Sequence, residues 1–122
     1  MSEIRLGAVE SKFADIIWNN EPLRPVELEK LAEAELNWKR TTTLTILKRL
    51  CERGIFQNKD RIITSLISRE EFYALQSEKF VNDTFEGSLP AFLTAFGSRK
   101  KLSDKEVEEL KKLNLMLAEM LS

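Results

Sequence analysis

The stretch from Thr41 to Gly54 constrains this chain more than any other. Thr43, Ile46, Leu47 and Leu50 fall on one side of a 3.6-residue helix. Gly54 then supplies a C-terminal stop. Two short β-rich runs follow at once, Ile55-Phe56-Gln57 and Ile62-Ile63-Thr64-Ser65, around the polar turn Asn58-Lys59-Asp60-Arg61. The helix is predicted over Thr41 to Arg53 and the runs as a hairpin. Two strands alone are marginal, so the hairpin must lean on helices. Three consecutive threonines are poor helix formers. Packing, or a use for short hydroxyls, must compensate.

Two helices are expected upstream. Val9, Phe13, Ile16 and Ile17 make one stripe of a helix from Ala8 to Asn19, which Trp18 extends. Pro25 suits a first helical position, and Val26, Leu28, Leu31 and Ala32 form the expected buried face of a helix fading near Leu36. Downstream, Ser68 and Glu71 read as a capping box, with Ile67 and Phe72 as its staple, opening a helix that Gly87 ends. A short apolar helix is expected from Ser88-Leu89-Pro90 to Phe96, then a polar linker from Gly97 to Lys101. Ser103 and Glu106 box the last helix, which carries Val107, Leu110, Leu113, Leu117, Met120 and Leu121.

The side-chain inventory excludes much chemistry. The chain of 122 residues has no His and one Cys. That removes His-based acid–base catalysis, Ser-His-Asp and Cys-His pairs, and ordinary Cys/His zinc sites. No enzyme and no cofactor is expected. A lone Cys makes no internal disulfide, which fits a reducing cytoplasm. No apolar run approaches the roughly 20 residues of a membrane span, and the N-terminus lacks a signal-peptide core. Cys51 is expected in the core, and Trp18 and Trp38 in packing. Glu70-Glu71 and Glu108-Glu109 occupy first helical turns, where they favour the dipole.

The net charge of −1 hides an asymmetry. Residues 36–61 carry seven basic and two acidic side chains, whereas residues 1–35 carry four basic and eight acidic ones. A near-neutral chain with one basic island looks like a binding protein whose anionic partner docks at one place. Three helices and a hairpin, with that island on the third helix and hairpin, form the winged helix-turn-helix layout. The expected fold is therefore mainly α with a small β-hairpin, a winged helix-turn-helix domain over residues 1–68 followed by a helical dimerisation region over 69–122. Duplex DNA suits the layout, because the major groove admits one helix. The candidate contacts are Lys39, Arg40, Thr41, Thr42, Thr45, Lys48 and Arg49 on or before the third helix, and Lys59 and Arg61 on the hairpin. The runner-up is a winged-helix module that contacts protein, which needs exposed apolar anchors; on the third helix only Leu44 qualifies.

The segment "NWKRTTTLTILKRLCERG", with Trp38, Thr42, Thr45, Leu47, Arg49, Leu50 and Gly54, resembles the most telling stretch of the bacterial penicillinase and methicillin-resistance repressors, the BlaI and MecI type, related to the CopY type. Co-linear matches extend the resemblance over nearly the whole chain. They include Leu6 to Trp18, Ser65 to Glu71, the Phe80, Phe85, Gly87, Ser88 pattern, and Leu102-Ser103 with Glu108-Glu109-Leu110. The resemblance implies a homodimeric repressor on a dyad operator, controlling β-lactam resistance or cell-wall-stress genes. A repressor of this fold with another inducer is the alternative. The resemblance also implies release by a membrane sensor-protease. The family's cleaved Asn-Phe bond aligns here with Ala95-Phe96, the candidate proteolytic site. The C-terminal cysteine pairs of the copper-responsive branch are absent, which disfavours copper sensing.

A dimer also follows from burial. Phe80, Phe85, Leu89, Phe92, Leu93, Phe96, Val107, Leu110, Leu117 and Leu121 are too many apolar side chains to leave in water. Folding back on the N-terminal domain is the alternative. In one heptad register Val107, Leu110, Asn114, Leu117 and Leu121 form a seam in which Asn114 sets the register.

Overall fold

The structure, a computed structural model, describes residues 6–121. The order is α1 (Ala8–Asn20), α2 (Pro25–Leu36), α3 (Arg40–Glu52), β1 (Phe56–Lys59), β2 (Ile62–Ser65), α4 (Arg69–Phe85), α5 (Leu89–Arg99) and α6 (Asp104–Leu121). The chain divides into two compact units, one ending at Lys79 and one starting at Phe80. Among the described residues no helix is long and apolar enough to cross a membrane.

In the first unit, Phe13, Ile17, Leu28, Leu50, Ile55, Phe56, Ile63 and Phe72 are fully buried. Trp38 packs on Phe13 with ring centroids 5.0 Å apart, and Trp18 packs on Phe56 and Phe72 at 5.2 and 5.7 Å. Both tryptophans are thus packing residues, as expected. The first unit runs past Ser68 because Phe72, on the first turn of α4, belongs to its core. Arg69 latches the same turn to α1: it pairs with Asp15 at 3.1 Å and donates to Asn19 Oδ1 at 2.5 Å. Trp18 Nε1 donates to the Ile67 carbonyl at 3.1 Å.

The connections explain the tight layout. Asn37 ends α2 with φ 58, a left-handed conformation that Asn tolerates better than most residues. Its N–H donates to Glu33, and Trp38 N–H donates to Ala32. The chain thereby re-enters a helix at Arg40 after only Asn37, Trp38 and Lys39. Gly54, at φ 79, ends α3; its N–H donates to Cys51 and that of Ile55 to Leu50, the Schellman pattern.

The hairpin pairs antiparallel, with Phe56 opposite Ser65 and Lys59 opposite Ile62. Its turn is the two residues Asp60 and Arg61, at φ 54 and 63. It is therefore tighter than the four-residue turn expected, and the first strand reaches Lys59. The hairpin does not stand alone. Leu23, just before α2, exchanges backbone hydrogen bonds with Ile63 at 2.8 and 3.3 Å. Glu21 Oε1 accepts from both the N–H and the hydroxyl of Ser65 at 2.8 Å.

Two stripe residues depart from the burial expected of them. Val9 is 50% exposed at the start of α1, and Val26 is 58% exposed on the first turn of α2. Each lies on a first helical turn, where a face that periodicity assigns to the core overhangs its edge.

In the second unit, Phe85 packs on Phe80 and Phe92 edge-to-face, at 6.0 and 5.6 Å, and Phe92 on Phe96 at 6.2 Å. Ser88 caps α5 by accepting from Ala91 N–H at 3.1 Å. The helix continues to Arg99, so Gly97, expected in a linker, is helical. No Cβ-requiring contact surrounds Gly97, and helix interiors tolerate glycine at a cost of about 1 kcal/mol. The Ser103 box forms in full: its N–H donates to Glu106 Oε1 and its hydroxyl accepts from Glu106 N–H, each at 3.1 Å. The Ser103 N–H, helped by the Ser103 hydroxyl donating to the same oxygen at 3.2 Å, holds the Glu106 carboxyl below its ordinary pKa. Among the described residues none of α5 or α6 is buried. Phe92, Leu93, Phe96, Leu102, Leu110 and Leu113 line an open cleft of about 370 Å3.

Candidate nucleic-acid interface

α3 is amphipathic as its sequence requires. Thr43, Leu47 and Leu50 are buried, and Thr41, Thr42, Thr45, Lys48 and Arg49 are exposed. Two of the threonine hydroxyls bond backwards along the helix. Thr43 Oγ1 donates to the Lys39 carbonyl at 3.2 Å, which satisfies a buried hydroxyl, and Thr45 Oγ1 donates to the Thr41 carbonyl at 2.8 Å. The Thr45 oxygen keeps lone pairs to accept a further bond.

The second structural fact is a groove of about 1050 Å3 walled by three elements. Arg24, Pro25 and Val26 come from the start of α2, with Glu29 one turn on. Arg40 and Leu44 come from α3. Asn58, Asp60, Arg61 and Ile62 come from the hairpin. Among the candidate contacts, Arg40 and Arg61 meet at this groove. Lys39, at the N-cap of α3, and Lys59, at the end of β1, are exposed outside its walls.

The cations are not equivalent. Arg49 pairs with Glu10 of α1 at 3.8 Å, and Arg53 reaches the same Glu10 oxygen at 3.9 Å. Arg40 pairs through Nε with Glu29 at 3.1 Å. Cys51 is half-buried against the core, and burial, with Glu52 adding, pushes its thiol above the ordinary cysteine pKa.

Arg24, Val26 and Glu29 were not among the candidates from sequence. The signal for Arg24 was its place just before Pro25: the first helix of a helix-turn-helix crosses the nucleic-acid backbone, so its start faces the partner. Glu29 sits in an acidic run that reads as a solvated face, and only the tertiary pairing with Arg40 distinguishes it.

The helix α2, a tight turn and the helix α3, followed by a hairpin bridged to the segment before α2, define a winged helix domain with a helical region after it. The chain belongs to the penicillinase repressor family, whose model matches residues 6–114. It is 25% identical to the methicillin resistance regulatory protein MecI of Staphylococcus aureus over 112 residues, 88% of this chain and 91% of that one. Identity to the same-named protein of Staphylococcus epidermidis is 24% with the same coverage. Identity to the penicillinase repressor of Bacillus licheniformis is 23% over 110 residues, 87% of this chain and 86% of that one.

Proposed function

We propose that the protein is a homodimeric transcriptional repressor that binds a dyad operator in duplex DNA, in the cytoplasm, and controls genes of antibiotic resistance or cell-wall stress. The observation that carries this reading is one continuous surface: the exposed face of α3 opens onto a groove edged by Arg24, Arg40 and Arg61. α3 would enter the major groove, with Arg40 and the threonines toward base edges. Lys39, Lys48, Lys59 and Arg61 would meet phosphates. Relatives named for methicillin resistance and penicillinase support the choice of regulated genes. The dimer would form through the second unit, whose Phe80, Leu89, Leu93, Phe96, Leu110, Leu117 and Leu121 stand exposed. Release would follow cleavage at Ala95-Phe96 by a membrane sensor-protease. That bond lies inside α5, so cleavage requires α5 to unwind locally.

The test is fluorescence anisotropy with labelled duplex from this gene's own upstream region against scrambled duplex, at two salt concentrations. Specific binding that weakens steeply with salt is expected, because each neutralised phosphate releases counterions. Equal affinity for both duplexes would sink the operator reading. A protein-binding reading draws on one specific observation: Val26 and Ile62 join Leu44 at the groove, more apolar surface than α3 alone offers. An apolar protein interface would show little salt dependence, so the same titration separates the two.

A further inference from the structure

We infer that Glu29 is a positioning residue for DNA recognition, fixing the Arg40 guanidinium so that it reads bases rather than merely attracting phosphate. The inference rests on the DNA-binding reading above and deepens it.

A carboxylate is out of place on a surface meant for a polyanion. Glu27, Glu29 and Asp60 nevertheless line the groove, and of these Glu29, its side chain only 19% exposed, pairs with Arg40. Its Oε1 lies 3.1 Å from Arg40 Nε. Arg40 is the first residue of α3 and its side chain is 75% exposed. This is the helical turn from which a recognition helix touches base edges.

The carboxylate of this ion pair approaches the guanidinium most closely at Nε. The Nη1–Nη2 edge remains, and it is the edge that can donate two parallel bonds to the O6 and N7 of a guanine. An unrestrained arginine loses much rotamer freedom when it docks. Glu29 imposes part of that loss beforehand, in the free protein. It also offsets a cation at a helix N-terminus, where the dipole opposes positive charge. Leu44, one turn further along the same face, lies beside Arg40 in the groove and offers an apolar contact for a thymine methyl. The net effect of Glu29 is to weaken sequence-independent attraction while sharpening sequence preference.

The test uses the full chain and a 30-base-pair duplex that the wild type selects from a randomised pool, with a scrambled duplex as reference. In Glu29→Ala, affinity for the selected duplex is expected to fall about tenfold, the scale of one lost bidentate contact. Affinity for the scrambled duplex is expected to hold or rise. Arg40→Ala loses the same discrimination, and the double variant loses no more, because the two residues act as a unit. Glu29→Asp, which keeps the charge on a shorter stem, recovers part of the loss. Thermal melts confirm that each variant is folded. If Glu29→Ala tightens both duplexes equally, the carboxylate only repels and the inference fails. Unchanged discrimination also overturns it. If the wild type enriches no sequence at all, the DNA-binding reading itself fails, and that result appears before any variant is made.

Discussion

Lys48 and Arg49 are adjacent on α3 and both exposed, but Arg49 shares Glu10 with Arg53 whereas Lys48 projects away from the core. Lys48→Ala is therefore expected to leave the melting temperature unchanged. It should weaken duplex binding and reduce the salt slope by about 1. Arg49→Ala is expected to cost roughly 0.5 kcal/mol of stability, the scale of a half-exposed ion pair, seen as a small drop in melting temperature. Equal melting for the two variants would place Arg49 outside the scaffold. Cys51 supplies a second check. Its thiol is raised by burial, so the folded state holds the proton more tightly than the unfolded chain does. The stability this lends is present below the unfolded thiol pKa and fades as pH rises through the folded one. At mildly alkaline pH, iodoacetamide should alkylate the native protein several-fold more slowly than the denatured chain.

The hairpin turn shows a trade made within one element. Asp60 and Arg61 both adopt positive φ, where side chains are strained and Asn-Gly would fit best. Arg61→Gly is expected to stabilise the protein by about 0.5–1 kcal/mol, the relief of a left-handed residue less the glycine's entropy. The same change should weaken duplex binding, because it deletes a cation at the groove edge. A melt and an anisotropy titration that move in the same direction would contradict this. Element boundaries were largely legible in the sequence where chemistry marks them: Pro25 begins α2, Gly54 ends α3, and Ser103 caps α6. They were less legible where a rule only inclines. Gly97 does not break α5, and Val26 fits a stripe yet overhangs the core. The exposed face of α3 was readable from periodicity. What stands opposite it was not, because the Glu29–Arg40 pair joins two helices and leaves no periodic mark in either.

At the scale of the whole molecule, the question is which part folds alone and which part dimerises. Ser68 ends the hairpin segment, but a chain cut there loses Phe72, which is fully buried and packed at a tilt on Trp18. Deleting a buried Phe costs about 3–5 kcal/mol, a large share of a small domain's stability. The Arg69 latch to Asp15 and Asn19 goes with it. A chain ending at Lys79 keeps both. Residues 1–79 are therefore expected to melt cooperatively, whereas residues 1–68 should be unfolded or nearly so by circular dichroism. The longer fragment should sediment as a monomer, since it lacks the exposed apolar set from Phe80 onward. Its affinity for a duplex with two half-sites should fall by about 100-fold or more, because the second half-site no longer binds as an intramolecular event. Its affinity for a single half-site should match that of the full chain. A fragment 1–79 that sediments as a dimer would move the dimer interface into the winged helix domain and leave the apolar cleft of α5 and α6 to another partner.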